Sequence, residues 1–127
     1  MATVSAQLND YRQSPRKVRL LADAVRGKTA VRAIEELPFV AKRAAPAISK
    51  LIASAVANAK ARNLDTETLV IKDITVDKGA TLFRRQPMSR GRAFVIRKRT
   101  SHIKVTLAEP AELPAKKSAK KTAAKTK

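Results

Sequence analysis

Arginine and lysine are the residues through which this chain can act, and they crowd the stretch that holds Lys78, Arg84, Arg85, Arg90, Arg92, Arg97, Lys98 and Arg99. The chemistry open to them is phosphate neutralisation. Each contact with a nucleic-acid phosphate releases condensed counterions, so affinity falls with salt with a logarithmic slope of about 0.7 to 0.9 per phosphate. Arginine outnumbers lysine between Arg84 and Arg99. Its planar fork suits bidentate phosphate contact and stacking on unpaired bases, whereas lysine acts as a point charge. Met88 and Phe83 add apolar contact surface toward the middle of the same stretch.

Other residue types offer little. Glu35-Glu36 is the only adjacent pair of acids, but neighbouring helix positions diverge by about 100° and no third polar group converges on them. A solvated face that pairs with basic side chains is the expectation. His102 as the single histidine, with no cysteine, leaves little for a transition-metal site and makes no Cys-His or Ser-His-acid arrangement plausible. No glycine-rich phosphate loop is present. The chain is therefore expected to be no enzyme, with no catalytic residues, no metal and no cofactor. His102 is expected to pack or hydrogen-bond beside its strand neighbours, with RNA contact as the minor alternative.

These cations must be carried on an extended element. Leu69 to Asp77 and His102 to Leu107 both alternate apolar and polar residues, as half-buried strands do. Setting Ile74 opposite Val105 and Val76 opposite Ile103 also opposes Asp77 to His102 and Thr75 to Lys104. That register centres the hairpin between Ser89 and Arg90, inside the turn-rich Pro87-Met88-Ser89-Arg90-Gly91. An arm of about twenty residues spans on the order of 65 Å, against a radius of gyration of about 13 to 14 Å for a body of this size. The hairpin, residues 69–109, must leave the body. Its base, inside Asp77 and His102, belongs to the core; its outer part is too basic to form one and is marginal alone in water.

Val4, Ala6 and Leu8 alternate with polar residues and predict a first strand, which Asn9 to Gln13 lead out of. Ser14-Pro15 starts a helix with Val18, Leu21, Ala22 and Val25 inward and Gly27 as the left-handed stop. Thr29 caps a shorter helix with Val31, Ile34 and Leu37 inward, ended by Pro38. The longest helix starts near Lys42 or Pro46 and reaches Arg62, with Ile48, Leu51, Ile52, Ala55, Val56 and Ala59 as its stripe. The fold class is α+β: three helices on a small antiparallel sheet, with a long protruding hairpin. Residues 1–110 form this domain, and the Lys/Ala-rich residues 111–127 form a tail expected to be disordered alone.

The net charge of +18 makes a polyanion the expected partner. The few aromatics, Tyr11, Phe39, Phe83 and Phe94, argue against a base-stacking platform on one sheet face. No long apolar run and no charged-then-apolar leader is seen, which predicts a soluble protein that neither spans a membrane nor is exported.

Ser14-Pro15-Arg16-Lys17-Val18-Arg19, Arg26-Gly27-Lys28, Lys50-Leu51, Ser54-Ala55, Ala57-Asn58-Ala59, Gly91-Arg92-Ala93 and Lys98-Arg99-Thr100-Ser101-His102-Ile103 together resemble one family. It is the family of the twenty-second protein of the bacterial large ribosomal subunit, and the likeness covers nearly everything from Val4 to Glu109. The resemblance implies a small α+β body at the subunit surface, with a hairpin that reaches through 23S rRNA to the nascent-peptide exit tunnel. It implies a role in early assembly and a hairpin tip near the constriction where macrolides bind. The basic composition and the resemblance together make Arg12, Arg16, Lys17, Arg19, Lys28, Lys78, Arg84, Arg85, Arg90, Arg92, Arg97, Lys98, Arg99, Ser101 and His102 candidates for RNA contact. Arg84, Arg85, Gln86, Pro87, Met88, Ser89, Arg90, Gly91 and Arg92 become candidates for the tunnel tip. Leu82-Phe83-Arg84 departs from the family, where methionine and a second basic residue often stand.

The partners so implied are large-subunit rRNA, neighbouring ribosomal proteins and the nascent polypeptide, in a cytoplasmic ribosome, with no membrane and no homo-oligomer. The competing reading is a nucleoid architectural protein whose basic β-arm wedges Pro87 into a DNA minor groove.

Overall fold

Residues 3–110 are described by the computed structural model. In chain order they form β1 (Val4–Tyr11), α1 (Pro15–Val25), α2 (Ala30–Glu36), a 3-10 turn (Leu37–Phe39), α3 (Ala45–Ala61), β2 (Val70–Pro87) and β3 (Ala93–Ala108). The strands make one antiparallel sheet in the order β1-β3-β2. Residues spaced two apart on β1 and on the hairpin base point to one side, where Val4, Ile74, Val76, Ile103, Val105 and Leu107 meet the inward stripes of the helices. The opposite side carries Ser5, Gln7, Thr75 and Lys104, all exposed. This is the α+β arrangement expected. Residues 111–127, with the expected tail, lie outside the described part.

The helices obey most of their signals. Val18, Leu21, Ala22 and Val25 are buried along α1, and Gly27 stops it at φ 78°. Ile48, Leu51, Ile52, Ala55 and Ala59 are buried along α3, which starts late, with Pro46 in its first turn. Ser14 and Thr29 occupy the capping positions, but neither hydroxyl makes a capping bond. The Ser14 carbonyl instead accepts from the amides of Lys17 and Val18 at 3.1 and 3.4 Å.

Three expectations need correction. The inward face of α2 is Ala30, Ala33 and Leu37. Val31 is exposed, whereas Ile34 is half-buried and packs against the core, so the buried face is built of two alanines and Leu37. β1 continues through Asn9 and Asp10 to Tyr11, which pairs with Ser101 across an irregularity where Asp10 takes φ 53°. The hairpin does not keep one register. Asp73↔Thr106 through Lys78↔Ser101 pair as expected, including Asp77↔His102, but Gly79 and Ala80 together face Thr100, and pairing resumes at Thr81↔Arg99. Such a bulge bends and twists a strand. It also moves the centre of the turn onto Arg90, which with Gly91 adopts positive φ.

Pairing then continues without a break to Pro87↔Ala93. From Leu82 to Arg99 every residue is exposed except Ile96, which is half-buried. At about 3.3 Å per residue, Lys78 to Pro87 carries the ribbon on the order of 30 Å out of the body.

Both free sheet edges are occupied by donors from the helical layer. Along β2, the backbone amides of Gly27 and Ala30 reach the Ile71 and Leu69 carbonyls at 3.0 and 2.9 Å. Arg26 Nη2 donates to Ile74 O at 2.8 Å, and Arg19 donates to Val76 O through Nε and Nη2 at 3.1 and 2.9 Å. Along β1, Asn58 and Arg62 reach the Ser5 and Thr3 carbonyls at 3.3 and 3.2 Å. These bonds fix the helices against the sheet, and with them the root of the ribbon.

Candidate nucleic-acid interface

The bulge decides which ribbon side chains face the helices. On β3, Arg97 and Arg99 continue the side on which Ser101, Ile103 and Val105 meet the core. On β2 the extra residue brings Thr81, Phe83 and Arg85 to that same side, in place of Leu82 and Arg84. The two guanidiniums of β3 therefore stand over the gap between the ribbon root and the first turn of α1.

A cleft of about 630 Å³ opens there, lined by Arg12, Gln13, Ser14, Lys17, Arg43, Arg97, Lys98 and Arg99. A second, of about 260 Å³, adjoins it and is lined by Ser14, Pro15, Arg16, Arg19, Lys78 and Arg99. Ser14 and Arg99 belong to both. No carboxylate lines either cleft. Six cations thus converge in the first from the end of β1, the start of α1, the α2–α3 connection and β3. Their mutual repulsion makes the region a well for polyanions.

The ribbon has a different pattern. Four successive cross-strand pairs, Leu82↔Lys98, Phe83↔Arg97, Arg84↔Ile96 and Arg85↔Val95, each oppose one cation to one apolar side chain. Successive pairs point to opposite sides. Both faces of the ribbon therefore offer a charge for phosphate and an apolar surface for a base or sugar, which suits a partner that encloses it. At the tip, Arg84, Arg85, Gln86, Pro87, Met88, Ser89, Arg90, Gly91 and Arg92 are all exposed, in a turn closed by the Met88 amide on the Arg92 carbonyl at 2.7 Å.

Of the expected RNA-contact residues, Arg12, Arg16, Lys17, Lys78, Arg97, Lys98 and Arg99 gather at the clefts, and Arg84, Arg85, Arg90 and Arg92 lie along the ribbon and its tip. Arg19 lines the second cleft while its guanidinium holds Val76 O. Lys28 is turned away from both clefts into an ion pair with Glu36, which also binds Arg32 at 2.6 Å. These two bonds, from Lys28 and then Arg32, hold the Glu36 carboxyl below its ordinary value of 4.5. Ser101 is the clear correction: it is 0% exposed, and its hydroxyl makes no hydrogen bond among the described residues. It stands two residues before Ile103 on the core face, out of reach of RNA.

His102 is half-buried and does bond beside the strand, its Nδ1 accepting from the Asp10 amide at 3.2 Å. Nε2 lies 4.0 Å from the Asp10 carboxylate. Arg43 is the lining residue that the sequence did not mark. It follows Lys42 in the connection between helices, where the Tyr11 hydroxyl donates to the Arg43 carbonyl at 3.2 Å and so ties that connection to the end of β1.

A basic α+β body whose cations converge at the root of an exposed two-stranded ribbon has the electrostatic form of a polyanion-binding protein. The family model for ribosomal protein L22p/L17e matches residues 6–108. A large ribosomal subunit protein uL22 of Desulfosudis oleivorans is 46% identical over 111 residues, 87% of this chain and 97% of its own. Proteins of the same name from Citrifermentans bemidjiense and Bdellovibrio bacteriovorus are 51% and 47% identical, covering 83% and 84% of this chain and 96% and 97% of theirs. The chain belongs to the ribosomal protein L22p/L17e family, whose members are structural proteins and not enzymes.

Proposed function

We propose that this protein is a structural component of the cytoplasmic large ribosomal subunit, seated on 23S rRNA by the cleft at its ribbon root. The observation that carries the reading is the convergence of six cations from four segments on one cleft without a carboxylate. The two faces of the ribbon, each mixing cations with apolar side chains, support enclosure by RNA along its length. The tip, Arg84 to Arg92, then reaches the wall of the nascent-peptide exit tunnel and meets the growing polypeptide. Binding early in assembly follows from the same design, since an outer ribbon with no core of its own gains its surroundings as the RNA folds round it. One copy per subunit suffices.

Binding to a large-subunit rRNA fragment, titrated with salt, tests the seat. Arg43→Ala and Arg97→Ala should each lower the logarithmic salt slope by about 0.7 to 0.9. Equal affinity for random duplex DNA at the same salt would sink the proposal in favour of an architectural DNA-binding arm. Deleting Pro87 to Gly91 tests the tip: the body should fold and enter subunits while the tunnel wall changes. Failure to enter subunits would contradict that division of labour.

A further inference from the structure

Phe39 is 90% exposed in a chain with three phenylalanines, and nothing in the rRNA-binding reading uses it. It ends the 3-10 turn that continues α2, so Val31, Glu35 and Phe39 recur at four-residue steps along one flank. Val31 and Val40 are 42% and 38% exposed beside it. Pro38 and Val40 also line a mainly apolar recess of about 500 Å³ together with Ala41 and Ala45, in which Lys42 and Lys50 are the charged lining residues. An apolar face of this kind, rimmed by polar residues, marks a contact surface.

Its electrostatics differ from those of the cationic clefts and the ribbon. Residues 28–40 carry Lys28 and Arg32 against Glu35 and Glu36, a balance of zero within a chain of net charge +18. Glu36 takes up both cations, in ion pairs with Lys28 and Arg32. Glu35 is exposed and makes no ion pair among the described residues. The flank therefore offers apolar side chains and one uncompensated carboxylate, which is unfavourable for a phosphate backbone. A second cationic chain meets less repulsion here than at the clefts.

We infer that the Val31–Glu35–Phe39 flank docks a second, basic ribosomal protein, which covers Phe39 with apolar surface and sets a lysine or arginine against Glu35. This rests on the ribosomal reading above. A partner that itself binds the RNA of the particle is cationic. Such a partner needs a neutral or acidic landing place on this one, and the flank supplies it. The surface then divides: the ribbon root and ribbon face RNA, and α2 faces protein.

The test replaces Phe39 by the photo-crosslinker p-benzoylphenylalanine in the full chain, in cells, and irradiates purified large subunits. Phe39 is 90% exposed, so the body is expected to fold as before. The expected result is a cross-link to one identified protein of net positive charge, with its yield cut about tenfold by Glu35→Lys, which sets like charges together. A cross-link to rRNA, a cross-link to an acidic protein, none at all in subunits that contain the chain, or a yield indifferent to Glu35→Lys would each overturn the inference. Absence of the chain from large subunits would overturn the ribosomal reading itself, and the inference with it.

Discussion

Adding a single methyl group at Gly79 should destabilise the protein, and removing the Thr100 hydroxyl and methyl should largely cancel that effect. Gly79 has no positive φ, so backbone freedom is not what the position demands. Space is. A Cβ there would lie well inside van der Waals contact of Thr100 Oγ1, 3.1 Å from His102 Nε2 and 3.3 Å from the Thr100 carbonyl carbon. The hydroxyl cannot swing aside freely, because Thr100 is 4% exposed and its Oγ1 donates to Ala80 O at 2.6 Å, tying down the other bulge residue. Overpacking costs about 1 to 3 kcal/mol, and alanine recovers about 0.5 to 1 kcal/mol over glycine in a strand. Gly79→Ala should therefore cost about 0.5 to 2 kcal/mol. Thr100→Ala loses the bond and a buried methyl, about 1 to 2 kcal/mol. In the double variant the clash partner is gone, so the total should fall short of the sum by about 1 kcal/mol or more. Urea unfolding of the four proteins measures the cycle, and amide exchange at Thr81 and Arg99 locates the effect at the bulge. Costs that add within about 0.5 kcal/mol would refute the close approach and, with it, the view that this bulge aims the ribbon.

Other perturbations test separate parts of the frame. Ile52→Ala, at a fully buried site on α3, should cost about 2 to 5 kcal/mol, and an unchanged melting temperature would show that the helix does not pack there. Arg19→Ala should cost about 1.5 to 3 kcal/mol, because two donors of a charged group leave the Val76 carbonyl; it should also weaken rRNA binding less than Arg97→Ala does, and the reverse order would refute its structural role. The lowered Glu36 carboxyl stabilises the fold fully above its ordinary value of 4.5 and loses that effect as pH falls through its lowered value. Glu36→Gln should remove this part of the acid sensitivity, so unfolding midpoints of the two proteins that run parallel below pH 4.5 would contradict the assignment.

What the sequence makes legible here is whatever one face dictates. Ile74, Val76, Ile103 and Val105 must all point one way, and a slip of one residue would send them to solvent, so the register of the hairpin base can be read directly. Outside Lys78 and Ser101 no buried face exists to fix the pairing, and the bulge rests instead on a local steric fact, the room that Gly79 leaves for Thr100. A lone glycine in a strand run is a signal for a bulge, but not for its register. On α2 only Val31 departs from the expected inward face, for a related reason. Large apolar residues mark a stripe, yet close packing selects Ala30 and Ala33 and leaves Val31 outside. Ser101 was open to correction by parity alone, since it shares the core side with Ile103 and Val105.

The cations show why a basic sequence cannot by itself be read as a contact map. Arg16, Arg19, Arg26 and Lys28 belong to one short basic run, but they divide by geometry. Arg16 opens on a cleft, Arg26 seals the β2 edge while pairing with Asp23 and Asp73, Lys28 neutralises Glu36, and Arg19 both seals the edge and lines a cleft. Charge in the helical layer thus closes the open edge of the sheet from which the ribbon extends, and the same rigid root holds Arg97 and Arg99 over the cleft. A ribbon that projects on the order of 30 Å needs that rigidity, because a small rotation at its base is multiplied along its length. The edge-sealing arginines are therefore expected to govern where the tip arrives, without touching anything at the tip.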